Sequence, residues 1–133
     1  MNLTELSKEV HKGNVERGFY DNPPNFGTII ALIHSELSKA LEAHRKADLA
    51  DLEYFEERLN EVRESFTGTD EEFKPIYHKL YKKYLKDKVE SELAGTMIRV
   101  LDACGYYNID IQKHVDYELR FNATRARKHG KNY

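Results

Sequence analysis

Apolar residues recur along this chain at spacings of three and four, broken by short polar or proline-containing stretches, and no segment shows the alternating rhythm of a strand. The pattern predicts an all-α protein. Leu3, Leu6 and Val10 mark a short first helix behind a Thr4 cap, interrupted at Gly13 or Gly18. Asp21-Asn22-Pro23-Pro24-Asn25 is a loop, because the prolines exclude helix, and Asn25 is placed to cap the second helix. From Phe26, the residues Ile29, Ile30, Leu32, Ile33, Leu37, Ala40 and Leu41 form the broad stripe of a buried helix.

A further amphipathic segment runs from about Leu49 to Phe66, with Leu52, Phe55, Leu59 and Val62 on one face, and ends at Thr67-Gly68-Thr69-Asp70. Asp70 is the expected cap of the next helix, whose first turn holds Glu71 and Glu72 and tolerates Pro75. Tyr77, Leu80, Tyr81, Tyr84 and Leu85 then share a face, and the periodicity continues through Val89, Leu93, Met97, Val100 and Leu101. This is one helix of roughly 30 residues or two with a break near Asp87. Gly105 is expected to stop it, Asn108 or Asp110 to cap a last helix, and Ile111, Val115, Leu119 and Asn122 to face inward from that helix. The sum is a bundle of four or five helices.

Composition narrows the setting. A length of 133 residues suits a single domain with one core. Charged residues make up 33% against 40% hydrophobic, which fits helices with one buried and one solvated face rather than a disordered tract. The net charge of -2 gives no general reason for nucleic-acid or membrane binding, although Arg120 to Lys131 is locally basic. No apolar run approaches the roughly 18 residues of a membrane span. A lone Cys104, and an N-terminus without a basic start or apolar run, lead us to expect reducing cytoplasm, bacterial or viral.

Two acidic segments stand out, Glu36-Leu37-Ser38-Lys39 and Glu92-Leu93-Ala94-Gly95, each placing an acid within a strongly apolar helix. With Ile33-His34-Ser35 before the first, Ile98-Arg99-Val100-Leu101-Asp102 after the second, and the tail Phe121-Asn122-Ala123-Thr124-Arg125 then Lys128-His129-Gly130-Lys131, the chain resembles the MazG-like all-α nucleoside triphosphate pyrophosphatases. The resemblance spans approximately Glu5 to Lys131 apart from the region around Asp48 to Asp87. It implies one helical domain over 1–133, with a variable connecting insert at 67–87 and a basic tail at 125–133. It also implies a homodimer or higher homo-oligomer, a nucleotide ligand, and hydrolysis of a nucleoside triphosphate to monophosphate and pyrophosphate.

In that family the motifs read E-x-x-E and E-x-x-D, and four carboxylates hold Mg²⁺, which activates water against the link between the α and β phosphates. Magnesium takes hard oxygen ligands in near-octahedral geometry, so acids spaced i, i+3 on facing helices suit it. Here Glu36 and Glu92 are the implied catalytic residues and metal ligands, but Lys39 and Gly95 stand where the family has the second acid of each pair. Two carboxylates against one ammonium leave a formal charge of -1 where four acids would carry -4. Asp102 is a candidate third ligand, on the same face as Gly95 but about 10 Å further along at ~1.5 Å per residue. Glu42, on a face with Lys39, is the reserve, with an ordinary i, i+4 pairing to Lys46 as its alternative.

For the phosphates the resemblance points to Asn122, Arg125 and Lys128, while Glu118 occupies a position where a lysine is expected. Arg can grip a phosphate through two parallel hydrogen bonds. Lys39 is a further candidate, either occupying the place of the metal or meeting a phosphate as a point charge. Three functions are consistent with these residues: a pyrophosphohydrolase, a non-hydrolysing nucleotide binder or sequestering protein, and a structural scaffold. His34, His44, His78, His114 and His129 show no paired metal spacing and are assigned no catalytic role. Tyr77, Tyr81 and Tyr84 are read as packing rather than base-stacking residues.

Overall fold

The computed structural model describes residues 1–132, the side chain of His129 excepted, so the end of the basic tail at Tyr133 lies outside the described residues. The described residues form six α-helices, α1 (Leu3–Glu16), α2 (Phe26–Arg45), α3 (Leu52–Ser65), α4 (Asp70–Tyr84), α5 (Val89–Tyr106) and α6 (Ile111–Ala123), with a 3₁₀ turn at Arg127–Gly130 after them. The described residues contain no strand. The all-α class is as expected from the periodicity, with six helices rather than four or five. The chain divides into two compact units, Met1–Ile29 with Ile98–Tyr133, and Ile30–Met97.

In the first unit α1 is capped by Asn2 rather than Thr4. The Asn2 Oδ1 accepts from the Glu5 amide at 2.9 Å and the Glu5 carboxylate accepts from the Asn2 amide, closing a reciprocal capping box. Thr4 is thereby released to donate to Asp110 at 2.7 Å and to accept from the Gln112 amide at 3.0 Å, which ties α1 to the first turn of α6. Asp110 caps α6 as expected. Leu119, expected inside, is 63% exposed, and the side-chain bonds between α6 and α1 are at the start of α6.

Gly105 does not stop α5; the helix passes through it and the chain turns at Asn108, whose φ is 54°. The glycine serves packing instead. A Cβ there would lie 2.5 Å from the Ser7 carbonyl oxygen and 2.6 Å from the His11 Cβ, so only hydrogen lets α1 approach this closely. Ser7, 1% exposed, is held in that contact with its hydroxyl donating to the Thr4 carbonyl.

The second unit carries the acidic motifs. The segment before α3 turns at Ala47, with φ 56°, and Asp51 accepts from the Tyr54 amide at 3.0 Å, so α3 starts three residues later than the hydrophobic pattern predicts. Thr69, not Asp70, caps α4 through the Glu72 amide, leaving Asp70 as the first helical residue. Rings join α3 to α4 along their length: Phe66 on Phe73 at 5.1 Å, Phe55 on Tyr77 at 6.0 Å and Tyr54 on Tyr84 at 5.2 Å between centroids. Tyr77 and Tyr84 are therefore packing residues.

Of the two alternatives for the long tyrosine-to-leucine segment, the structure has the broken one. Asp87 takes a left-handed φ of 62°, and the Ser91 hydroxyl accepts from the Lys88 amide and donates to the Lys88 carbonyl to begin α5. The loop between α2 and α3 is pinned to that start. Val89 donates to the Asp48 carbonyl at 3.0 Å, and Ala50 donates to the Glu90 carboxylate at 2.8 Å, which together with a further backbone bond holds Glu90 below its usual range. Glu90 is thus a loop anchor.

Candidate functional site

Glu36 on α2 and Glu92 on α5 meet in the second unit. They are 9% and 8% exposed, an unusual burial for carboxylates. Their positions follow from the helices that carry them. On α2, Glu36 lies on the stripe that also buries Ala40 and Ala43, while Leu37 and Leu41, about 100° round per residue, are exposed. The short helix break at Asp87 sets the start of α5, which places Glu92 in its first turn.

Burial raises the Glu92 pKa above its ordinary 4.5, and the Glu36 carboxyl raises it further, as hydrogen-bond partner and as a like charge. Two carboxyls this close favour sharing a proton. Lys39, one turn after Glu36, pulls the other way: its Nζ lies 3.4 Å from Glu36 Oε1, and its charge lowers the Glu92 pKa. The ammonium is 58% exposed, so it reaches the pair from the solvent side.

Gly95 completes this geometry. A Cβ built there would sit 3.5 Å from Glu36 Oε2, an ordinary contact, so this position faces Glu36 with room for a side chain.

These groups form one end of a cleft of about 430 Å³. Its other side is α4 and the turn beyond it, contributing His78, Tyr81, Lys82 and Lys86, with Asp87 and Ser91 at the junction to α5. Burial and the nearby acids raise the Tyr81 pKa, which keeps its hydroxyl a neutral donor. His78, Lys82 and Lys86 carry no motif signal: His78 and Lys82 lie i, i+4 on α4, and Lys86 is in the turn beyond it.

The other expected ligands are engaged elsewhere. Glu42 is exposed on α2 and pairs with Arg45 at 3.7 Å and Lys46 at 3.5 Å, the ordinary helix pairing that was its alternative. Asp102 belongs to the first unit, where its Oδ1 is 2.9 Å from His11 Nδ1 and its Oδ2 accepts from the Tyr20 hydroxyl at 2.9 Å. Tyr20 stacks edge-on against His11 and tilts against Tyr106, and burial together with Asp102 raises its pKa. This His–Asp–Tyr cluster has no sequence signature, since Asp102 lies 82 residues from Tyr20 and 91 from His11.

Among the described residues no group of three or more His, Cys, Asp or Glu side chains is disposed to hold a metal ion. Two carboxyls and an ammonium are a donor set that fits octahedral magnesium poorly. In the tail, Arg125 donates to Asn122 at 3.4 Å and lies over the Phe121 ring, while Lys128 takes a left-handed φ of 55° within the 3₁₀ turn. Asn122, Arg125 and Lys128 lie in the first unit, and Lys39 in the second. Glu118 is solvent-exposed on α6.

No protein-family model, no curated protein and no solved structure matches the chain.

Proposed function

We propose that this protein is a MazG-like helical protein that binds a phosphorylated nucleotide without hydrolysing it, Lys39 standing where the metal of a hydrolase would be. The observation that carries the reading is the Lys39 ammonium 3.4 Å from Glu36, beside the buried Glu36–Glu92 pair and opposite a glycine. An ammonium compensates a carboxyl pair but cannot activate water as a Lewis acid does. The cleft offers cations, a neutral hydroxyl donor and buried acceptors, a combination suited to binding a phosphorylated ligand.

Self-association belongs to the same reading. Ile30, Leu37 and Leu41 on α2 and Leu93 and Met97 on α5 are exposed, and a second copy of the chain is the occupant we assign to such apolar helix faces. Light scattering at micromolar concentration tests that part, with a dimeric mass expected and a strictly monomeric one against it.

Calorimetric titration of nucleoside triphosphates in EDTA, paired with a pyrophosphate-release assay in Mg²⁺ or Mn²⁺, tests the function. Binding in EDTA that is lost in Lys39→Glu, with no pyrophosphate released, is expected. Turnover by the wild-type protein would instead establish the hydrolase, which the meeting of Glu36 with Glu92 favours as the second reading.

A further inference from the structure

The cleft is chemically two-sided, and the two sides suit different parts of a ligand. At the α2 and α5 end, Glu36 and Glu92 are buried carboxyls and the nearby ammonium of Lys39 is already drawn to Glu36. A phosphate placed on that floor would meet two acids. On the α4 side, Lys82 in the last turn of α4 and Lys86 in the turn beyond it are both exposed and line the cleft together with His78 and the hydroxyl donor Tyr81. Asp87 is the acid at this end, so an anion there meets two ammonium groups against one carboxylate.

We propose that Lys82 and Lys86 form the seat of a phosphoanhydride, a ligand carrying at least two adjacent phosphates, held on the α4 wall rather than over the Glu36–Glu92 pair. The class of ligand rests on the nucleotide-binding proposal; the location does not. Two flexible ammonium groups lining the same cleft can each take oxygens of neighbouring phosphates, whereas a single phosphate engages them less completely. His78 adds a ring N–H and Tyr81 a hydroxyl, both on the same wall. The floor is left for the hydroxyl and amine donors of the ligand's remainder, which buried carboxyls accept. The segment outside the family resemblance thereby gains a use: α4 supplies in cations what the second acids of the two motifs no longer supply through a metal.

The test is calorimetry of the full chain in EDTA with inorganic pyrophosphate and orthophosphate as probes. Wild-type protein is expected to bind pyrophosphate at least about tenfold more tightly than orthophosphate, and Lys82→Ala with Lys86→Ala to weaken pyrophosphate binding by about tenfold or more, since charge-assisted bonds are being removed. Lys74→Ala with Lys79→Ala removes the same charge from exposed positions of α4 that do not line the cleft, and is expected to leave binding nearly unchanged. All four lysines are exposed, and circular dichroism melting checks that each variant folds. Equal binding by wild type and the Lys82/Lys86 variant, or an equal loss in the Lys74/Lys79 control, overturns the seat. Pyrophosphate binding that depends on Lys82 and Lys86 in a protein that binds no nucleotide overturns the nucleotide reading and leaves the seat standing.

Discussion

Glu92 and Asp102 lie ten positions apart on one helix, and their surroundings could hardly differ more. Asp102 has each oxygen matched, one to His11 and one to Tyr20, both at 2.9 Å, inside a nest of aromatic rings. Glu92 is more buried in effect and less well matched: its neighbour is another carboxyl, and the Lys39 ammonium reaches the pair only from the solvent side. The first arrangement satisfies an acid and fixes the packing of α1 on α5. The second couples two buried acids to one exposed cation, a perturbed arrangement of the kind found at binding and catalytic sites.

The largest effects are expected in the first unit, where matching and packing are tightest. Gly105→Ala would drive a Cβ into backbone at Ser7 and into His11, separating α1 from α5 and costing about 2–3 kcal/mol by overpacking. Urea unfolding measures it, and a loss below about 1 kcal/mol would show that the close approach has slack. Asp102→Asn keeps the shape but exchanges one charged acceptor oxygen for an amide donor and weakens the bond at the other, for a loss of about 2 kcal/mol in the same assay.

Glu92→Gln should behave oppositely. A carboxyl whose folded pKa is raised binds more proton in the folded than in the unfolded state just above pH 4.5, so its contribution to stability falls as pH rises through that interval. Removing the charge is expected to stabilise the fold by about 0.5–1 kcal/mol at pH 7 and to flatten that part of the stability–pH curve. A destabilised variant with unchanged pH dependence would mean that Glu92 is as well matched as Asp102. Glu42→Ala, which removes exposed pairs with Arg45 and Lys46, should change stability by less than about 0.5 kcal/mol.

Much of the fold and half of the site were legible in the sequence, and the boundary has physical causes. Glu36 and Glu92 could be singled out because each is an acid inside an apolar stripe, and burial of such an acid demands a reason. The caps were less legible: Asn2 and Thr4, or Thr69 and Asp70, are all competent capping residues, and which one serves depends on tertiary partners such as Asp110 and Gln112. Gly105 read as a helix stop because glycine ends helices more often than it lets two of them touch. The His11–Asp102–Tyr20 cluster and the α4 lysines could not be read at all, since long-range juxtaposition leaves no local pattern and a helical lysine row is ordinarily just a solvated face.

In the proposed function the Lys39 ammonium takes the place that a metal ion would have in a hydrolase. Lys39→Glu combined with Gly95→Asp would place an acid at both positions, and Gly95 has open contact distance to Glu36 for the new side chain. Titration of Mg²⁺ into wild-type and doubly substituted protein, read by calorimetry, is the most direct measurement. The expected result is no detectable binding by the wild type and binding at or below millimolar dissociation constants by the variant. Equal magnesium affinity in the two proteins would contradict it.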